Sequence, residues 1–280
     1  MPGQTRGSLS LTLAVMAALA FVSTSGDAAP RKPPQGGSGG WGDHFTGSKL
    51  SKRWQVSSWW APGYIPDNHE GFYEAENVSL QNGYLVLRLN QEIGPVDNNP
   101  AGVISHGAHV TTRQKYGYGT YEWRMRMSST AATPYGPGTP VSGSVSAGFN
   151  YVNNSETEID FEFGAHLLDD PRFPDTLYMV NWHNLDPSDG PWETEETYTA
   201  KSIPGLNNEF KTYKFVWEPG RITFYVDDVW QAEHTTTVPS APAYFMINHW
   251  GTNNPLWGGT ATIGVERYFY VDWVRFTPAP

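Results

Sequence analysis

Residues 157–163 read Thr-Glu-Ile-Asp-Phe-Glu-Phe, with Glu158, Asp160 and Glu162 at alternate positions and Ile159, Phe161 and Phe163 between or after them. Successive side chains of a β-strand point to opposite faces, so this spacing predicts one carboxylate face and one apolar face. Acids in close reach push one another's pKa upward, which a purely structural strand has no reason to accept. Cleavage of a glycosidic bond does call for such a group: one carboxylate ionised and one carboxyl held protonated. Residues four apart on a strand are separated by about 13 Å at roughly 3.3 Å per residue. Two glutamates leaning together can reduce this to about 5–5.5 Å between carboxyls, the separation of retaining enzymes, whereas inversion needs about 6.5–9.5 Å. Asp160, midway, can hydrogen-bond one glutamate and help hold their pKa values apart. The competing interpretation is a solvated acidic strand or a cation site.

The elements around this strand are predicted to be short strands. Val78 to Leu89 places two strands around Asn82-Gly83, a hairpin turn dipeptide. Gly119 to Met127, Tyr178 to His183, Thr212 to Trp217, Arg221 to Val226, Tyr244 to Trp250 and Phe269 to Phe276 continue the series. No dozen residues free of Gly and Pro show helical periodicity, so the pattern predicts an all-β sandwich or barrel. One domain over 41–280 is expected, after a Pro/Gly-rich linker at 30–40. Residues 1–29 read as a secretory signal peptide: Leu9 to Val22 is an apolar run of h-region length, followed by small residues suited to cleavage. A secreted protein, extracellular or periplasmic, is therefore expected.

Composition narrows the function classes. The 280 residues contain no cysteine, which excludes disulfides, thiolate metal sites and a Cys nucleophile. A formal charge of −10 argues against nucleic acid or anionic membranes as partners. Aromatics reach 14%, with 12 Trp, while charged residues are 16% against a usual figure of about 25%. That balance suits stacking on neutral sugar rings, and equally a β-sandwich core. Trp59-Trp60, before Pro62-Gly63, forms either a sugar platform in a loop or core; Tyr118, Trp123 and Trp182 are strand aromatics open to the same two uses. The histidines, His106 and His109 included, are not spaced for catalytic zinc, and His-Glu-x-x-His, Gly-x-Ser-x-Gly and phosphate-loop motifs are absent. Asn77-Val-Ser79 and Asn153-Asn-Ser155 fit the glycosylation sequon.

Glu-Ile-Asp-Phe-Glu-Phe resembles the signature of glycoside hydrolase family 16, and the resemblance runs from about Phe45 to Thr277. Residues 77–89 resemble the family's early hairpin. Residues 102–105 and 116–122 resemble the strands before its active site, and Tyr213 to Trp217 with Ile222 to Asp227 a later hairpin. Residues 246–250 and 270–275 resemble the closing strands. The resemblance implies a concanavalin-like β-jelly roll of two antiparallel sheets and a retaining mechanism, with Glu158 as nucleophile, Asp160 its assistant and Glu162 the general acid/base. The uninterrupted Glu-x-Asp-x-Glu form resembles the lichenase and xyloglucan-active branch. Asn181, Asn248 and Trp250 match positions that line the glycan cleft in lichenases. Glu156 stands where a lichenase has Trp, His109 and Thr111 where it has Glu and Arg, and His183 in place of a cleft tyrosine.

Asp272 matches a calcium ligand of lichenase-like proteins, with carbonyls of His44 and Gly83 as partners; such an ion would be structural, and catalysis would need no cofactor. The implied function is a retaining, endo-acting β-glucan hydrolase resembling an endo-β-1,3-1,4-glucanase, acting as a monomer on a polysaccharide. The alternatives are a xyloglucan-type endotransglycosylase/hydrolase, a galactan hydrolase on the same scaffold, or a non-catalytic lectin-like jelly roll.

Overall fold

The structure, a computed structural model, describes residues 39–165 and 176–280. The expected signal peptide, the linker up to residue 38 and His166 lie outside the described residues. No helix among the described residues is long and apolar enough to cross a membrane.

Two antiparallel layers arise from one continuous strand order. The cleft layer runs from β11 (Thr194–Ser202) through β10 (Thr176–Asn184), β9 (Thr157–Gly164), β8 (Ser144–Val152) and β15 (Ala243–Gly251) to β6 (Asn99–Tyr116). Short β2 (Trp54–Val56) also pairs with β6. The back layer runs from β5 (Tyr84–Val96) through β16 (Arg267–Pro278), β7 (Gly119–Ser129), β12 (Lys211–Glu218) and β13 (Arg221–Val226) to β14 (Val229–His234). β1 (Trp41–Asp43) adds to β16 and β4 (Val78–Gln81) to β5.

Two long strands join the layers. β5 pairs with β16 over Leu85–Leu89 and then with β6 from Asn90 onward. β6 pairs with β5 through His106 and with β15 from Ala108. The shared corner also carries β3 (His69–Tyr73), parallel to β6. At the far ends of the order, β11 and β14 meet through side chains: Thr199 Oγ1 lies 2.9 Å from His234 Nε2, and Lys201 donates to the Gln231 carbonyl.

Apolar residues from both layers fill the space between them. Ile159, Phe161 and Phe163 of β9 are buried there, with the Phe161 ring 5.4 Å from Phe224 and 5.5 Å from Tyr213. Full burial of such a side chain contributes about 1.5–3 kcal/mol, so the apolar half of the alternation anchors the strand that carries the acids. Asn82 and Gly83 turn β4 into β5 with φ of 52° and 83°, both left-handed, as an Asn-Gly hairpin turn requires. Every strand expected from alternation is present, while β8, β11 and β14 carry no clear signal of their own.

Candidate active site

Ladder register sets out the site, because residues directly opposite in neighbouring strands share a face. Three rows cross the cleft layer. Glu162 stands between Ala147 and Tyr178, and its row extends through Asn248 to His109. Asp160 stands between Phe149 and Val180, and Glu158 between Tyr151 and Trp182. All three carboxylates line one cleft of about 440 Å³, together with Trp59, Trp60, Tyr73, His109, Phe149, Tyr151, Met246, Asn248 and Trp250.

The rows give the acids different surroundings. Asp160 is buried between a phenyl ring and a valine, and its Oδ2 has no hydrogen-bond partner. Burial first, then the charges of Glu158 and Glu162, push its pKa well above the usual carboxylate range. Burial raises Glu158 to about 7, opposed by a hydrogen bond donated by Ser155. Among the described residues no donor gives Glu162 such relief, and burial plus the charge of Glu158 raise it to about 8. All three carboxyls are thus pushed toward their protonated forms, and the Ser155 hydroxyl is the described contact that favours the ionised form of one of them, Glu158. These values belong to the coupled group rather than to isolated residues.

The walls are built from two directions. Trp59 and Trp60 are 47% and 62% exposed on a loop that β3 holds in place: Tyr73 N–H donates to the Trp59 carbonyl at 2.7 Å and Ala61 N–H to Gly71 at 2.8 Å. Gly63 lets this loop close on Trp250, since its φ is +90° and an added Cβ would lie 2.8 Å from the Trp250 ring. Tyr73 stacks on His109 with centroids 5.0 Å apart, and its hydroxyl accepts from Asn248 Nδ2 at 3.2 Å. His109 Nδ1 lies 2.5 Å from Ser57 Oγ, and burial lowers its pKa to about 4, so the imidazole is neutral at working pH. Thr111, two residues on, is buried.

Of the residues expected at the cleft, Trp59, Trp60, Asn248 and Trp250 line it, and three others do not. Asn181 lies opposite Ile159, on the core face; its amide donates to the Thr236 and Thr237 carbonyls, and its oxygen is 2.6 Å from His234 Nδ1. His183 shares that parity and lies opposite Glu195, so the residue beside Glu158 is Trp182. Tyr118 sits in the turn before β7 and packs edge-on against Trp217, 5.0 Å away, at the core. Tyr73, Phe149, Tyr151 and Met246 were not singled out from the sequence. Phe149 and Tyr151 recur at every second position, the one signal that could have found them. Asn77 is no open glycan acceptor, being buried and bonded to the carbonyls of His106 and Gly107.

Asp272 is buried in the back layer, where Oδ2 accepts from Arg124 at 2.5 Å and Oδ1 has no hydrogen-bond partner. Burial raises its pKa against the opposing pull of Arg124 and His44. Oδ1 is an oxygen that suits a hard cation, while the guanidinium already supplies positive charge to the other oxygen. No group of three or more His, Cys, Asp or Glu side chains that could hold a metal occurs among the described residues, so an ion here would rely on backbone carbonyls.

Known proteins are similar to this chain in sequence and in fold. A β-glucanase of Paenibacillus polymyxa is 29% identical over 233 residues, covering 81% of this chain and 83% of its own. The endo-1,3-1,4-beta-glycanase ExoK of Rhizobium meliloti is 28% identical over 235 residues, 81% of this chain and 74% of its own. The β-glucanase structure from Bacillus licheniformis aligns with a TM-score of 0.64 at 23% identity, covering 86% of this chain and 99% of that one, which shows the same jelly-roll fold. The family model for glycosyl hydrolases family 16 matches residues 66–275, spanning β3 to β16 and the whole carboxylate strand; the chain belongs to that family and is a glycoside hydrolase.

Proposed function

We propose that this enzyme cuts internal bonds of a β-glucan with retention of configuration, mixed 1,3-1,4 linkage being the most specific form of the proposal. The observation that carries it is the pair Glu158 and Glu162, two apart from Asp160 on either side and facing one cleft. Glu158 attacks the anomeric carbon while Glu162 protonates the departing glycosidic oxygen. Glu162 then takes a proton from water, which displaces the glycan from Glu158. Exposed Trp59 and Trp60 offer stacking surfaces along the wall, and the names of the similar β-glucanases support the substrate class.

Proton NMR of early hydrolysis on mixed-linkage glucan should show β-anomer first and oligosaccharides of several units. First appearance of α-anomer would mean inversion and would remove Glu158 from the nucleophile's place. Chain lengthening on xyloglucan, without hydrolysis of mixed-linkage glucan, would make the enzyme a transglycosylase.

Two further parts of the proposal lie outside the chemistry. The apolar run from Leu9 to Val22 supports export, with cleavage before the linker. The orphan Oδ1 of Asp272 supports a structural calcium ion, which would stiffen the back layer and take no part in bond cleavage. Chelator should then lower the melting temperature of the wild type and leave that of Asp272→Ala unmoved. Equal melting curves of the wild type with and without chelator would mean that no ion sits beside Asp272.

A further inference from the structure

We infer that Ser155, which lies outside the carboxylate strand, is a positioning residue for the nucleophile: its hydroxyl donates to Glu158 Oε2 and keeps that carboxylate ionised and aimed into the cleft. The inference rests on the assignment of Glu158 as nucleophile and adds to it the group that controls its ionisation.

The turn between β8 and β9 is unusual. Asn153, Asn154 and Ser155 have φ of 42°, 51° and 63°, a consecutive run in the left-handed region that side-chain-bearing residues rarely adopt. Asparagine tolerates that region, whereas serine has no such preference. Such conformations persist only where the surroundings over-determine them. Here the clamp is Asn184, at the end of β10: its N–H donates to the Ser155 carbonyl at 2.8 Å, and its amide donates to the carbonyls of Asn154 at 2.8 Å and Gly190 at 2.6 Å. Asn154 Nδ2 donates in turn to the Pro187 carbonyl at 3.1 Å. The serine is thus fixed by its backbone, leaving its hydroxyl free to serve Glu158.

Among the described residues around Glu158, no other group does this work. Asp160 and Glu162 share Glu158's own strand face, and both are acids. From β8 the facing group is the Tyr151 phenol, kept neutral because burial raises its pKa. From β10 it is Trp182, with Glu196 of β11 beyond it. In the turn, Glu156 accepts from Asn153 at 2.8 Å. No cation faces Glu158 among these groups. A donor to a carboxylate favours its charged form, so the hydroxyl of Ser155 opposes the effect of burial.

The test is the pH profile of kcat/KM on a soluble β-glucan for the wild type, Ser155→Ala, Ser155→Gly and Glu158→Gln. Both serine variants should move the acidic limb upward by about one pH unit, so that activity one unit below the wild-type limb falls about tenfold and the deficit shrinks as pH rises. Glycine adopts a positive φ without strain and keeps the test open if alanine disturbs the turn. An unmoved acidic limb in folded Ser155→Gly overturns the inference, as does a shift confined to Ser155→Ala, which would trace to the backbone. An active Glu158→Gln would instead overturn the nucleophile assignment beneath it.

Discussion

Glu158→Gln is expected to lower kcat on β-glucan by a factor on the order of 10⁴–10⁶, the scale on which enzymes lose rate when a covalent nucleophile is removed. The substitution changes volume very little. The apolar anchors of β9 remain in the core, so folding and glycan binding should survive. What disappears is the only route by which the cleft forms a covalent intermediate. Azide should restore cleavage of an activated aryl glycoside by Glu158→Ala, giving a glycosyl azide of inverted configuration, because one displacement then replaces two. Retention of more than about a thousandth of the wild-type rate by Glu158→Gln would transfer the nucleophile's role elsewhere.

Loss of Glu162 should have two effects of opposite sign. Activity of Glu162→Gln on the natural glycan should fall by about 10²–10⁴, the usual worth of a general acid, and less on a substrate whose leaving group needs no proton. The alkaline limb of the pH profile should vanish with the proton it reported. Stability should move the other way. The carboxyl of Glu162 is raised from an ordinary 4.5 to about 8, so the folded state holds its proton more tightly than the unfolded chain does. Its contribution to stability is fully present below about pH 4.5 and is lost as pH rises through 8. Glutamine carries no charge at any pH. The variant should therefore melt with the wild type at pH 4 and above it at pH 9, by about 2–4 °C for each kcal/mol relieved. A variant no more stable than the wild type at pH 9 would show that the cleft does not strain this carboxylate.

The carboxylate strand was legible because its period of two is unbroken and its two faces differ in chemistry as much as side chains can. Asn181 and His183 could not be placed in the same way. A strand shifted by one residue presents its other face, and β10 alternates too weakly to fix its register against β9. Tyr178, Val180 and Trp182 face the cleft, while the polar Asn181 is satisfied inside by loop carbonyls and His234. β8 was hidden for a different reason: of its nine residues only Tyr151 is not buried, so its sequence does not alternate between apolar and polar. Tyr118 belongs to a turn, and its neighbours in sequence do not say that its ring meets Trp217. Ser155 belongs to no catalytic motif, only to the Asn153-Asn-Ser155 sequon; the role inferred for it follows from a turn conformation and from Asn184, 29 positions away.

The meeting of β11 and β14 bears on how the protein behaves at high concentration. A sheet with two terminal strands offers two templates for pairing with another chain, and a jelly roll left open would expose both. Here each terminal strand lies against the other through Thr199, His234 and Lys201. β11 itself reads Thr-Glu-Glu-Thr-Tyr-Thr-Ala-Lys-Ser, with acids and a lysine where an aggregating segment would be apolar and uncharged. The strand that ends the cleft layer thus keeps that layer from recruiting a neighbour, and the sheet finishes without an adhesive border.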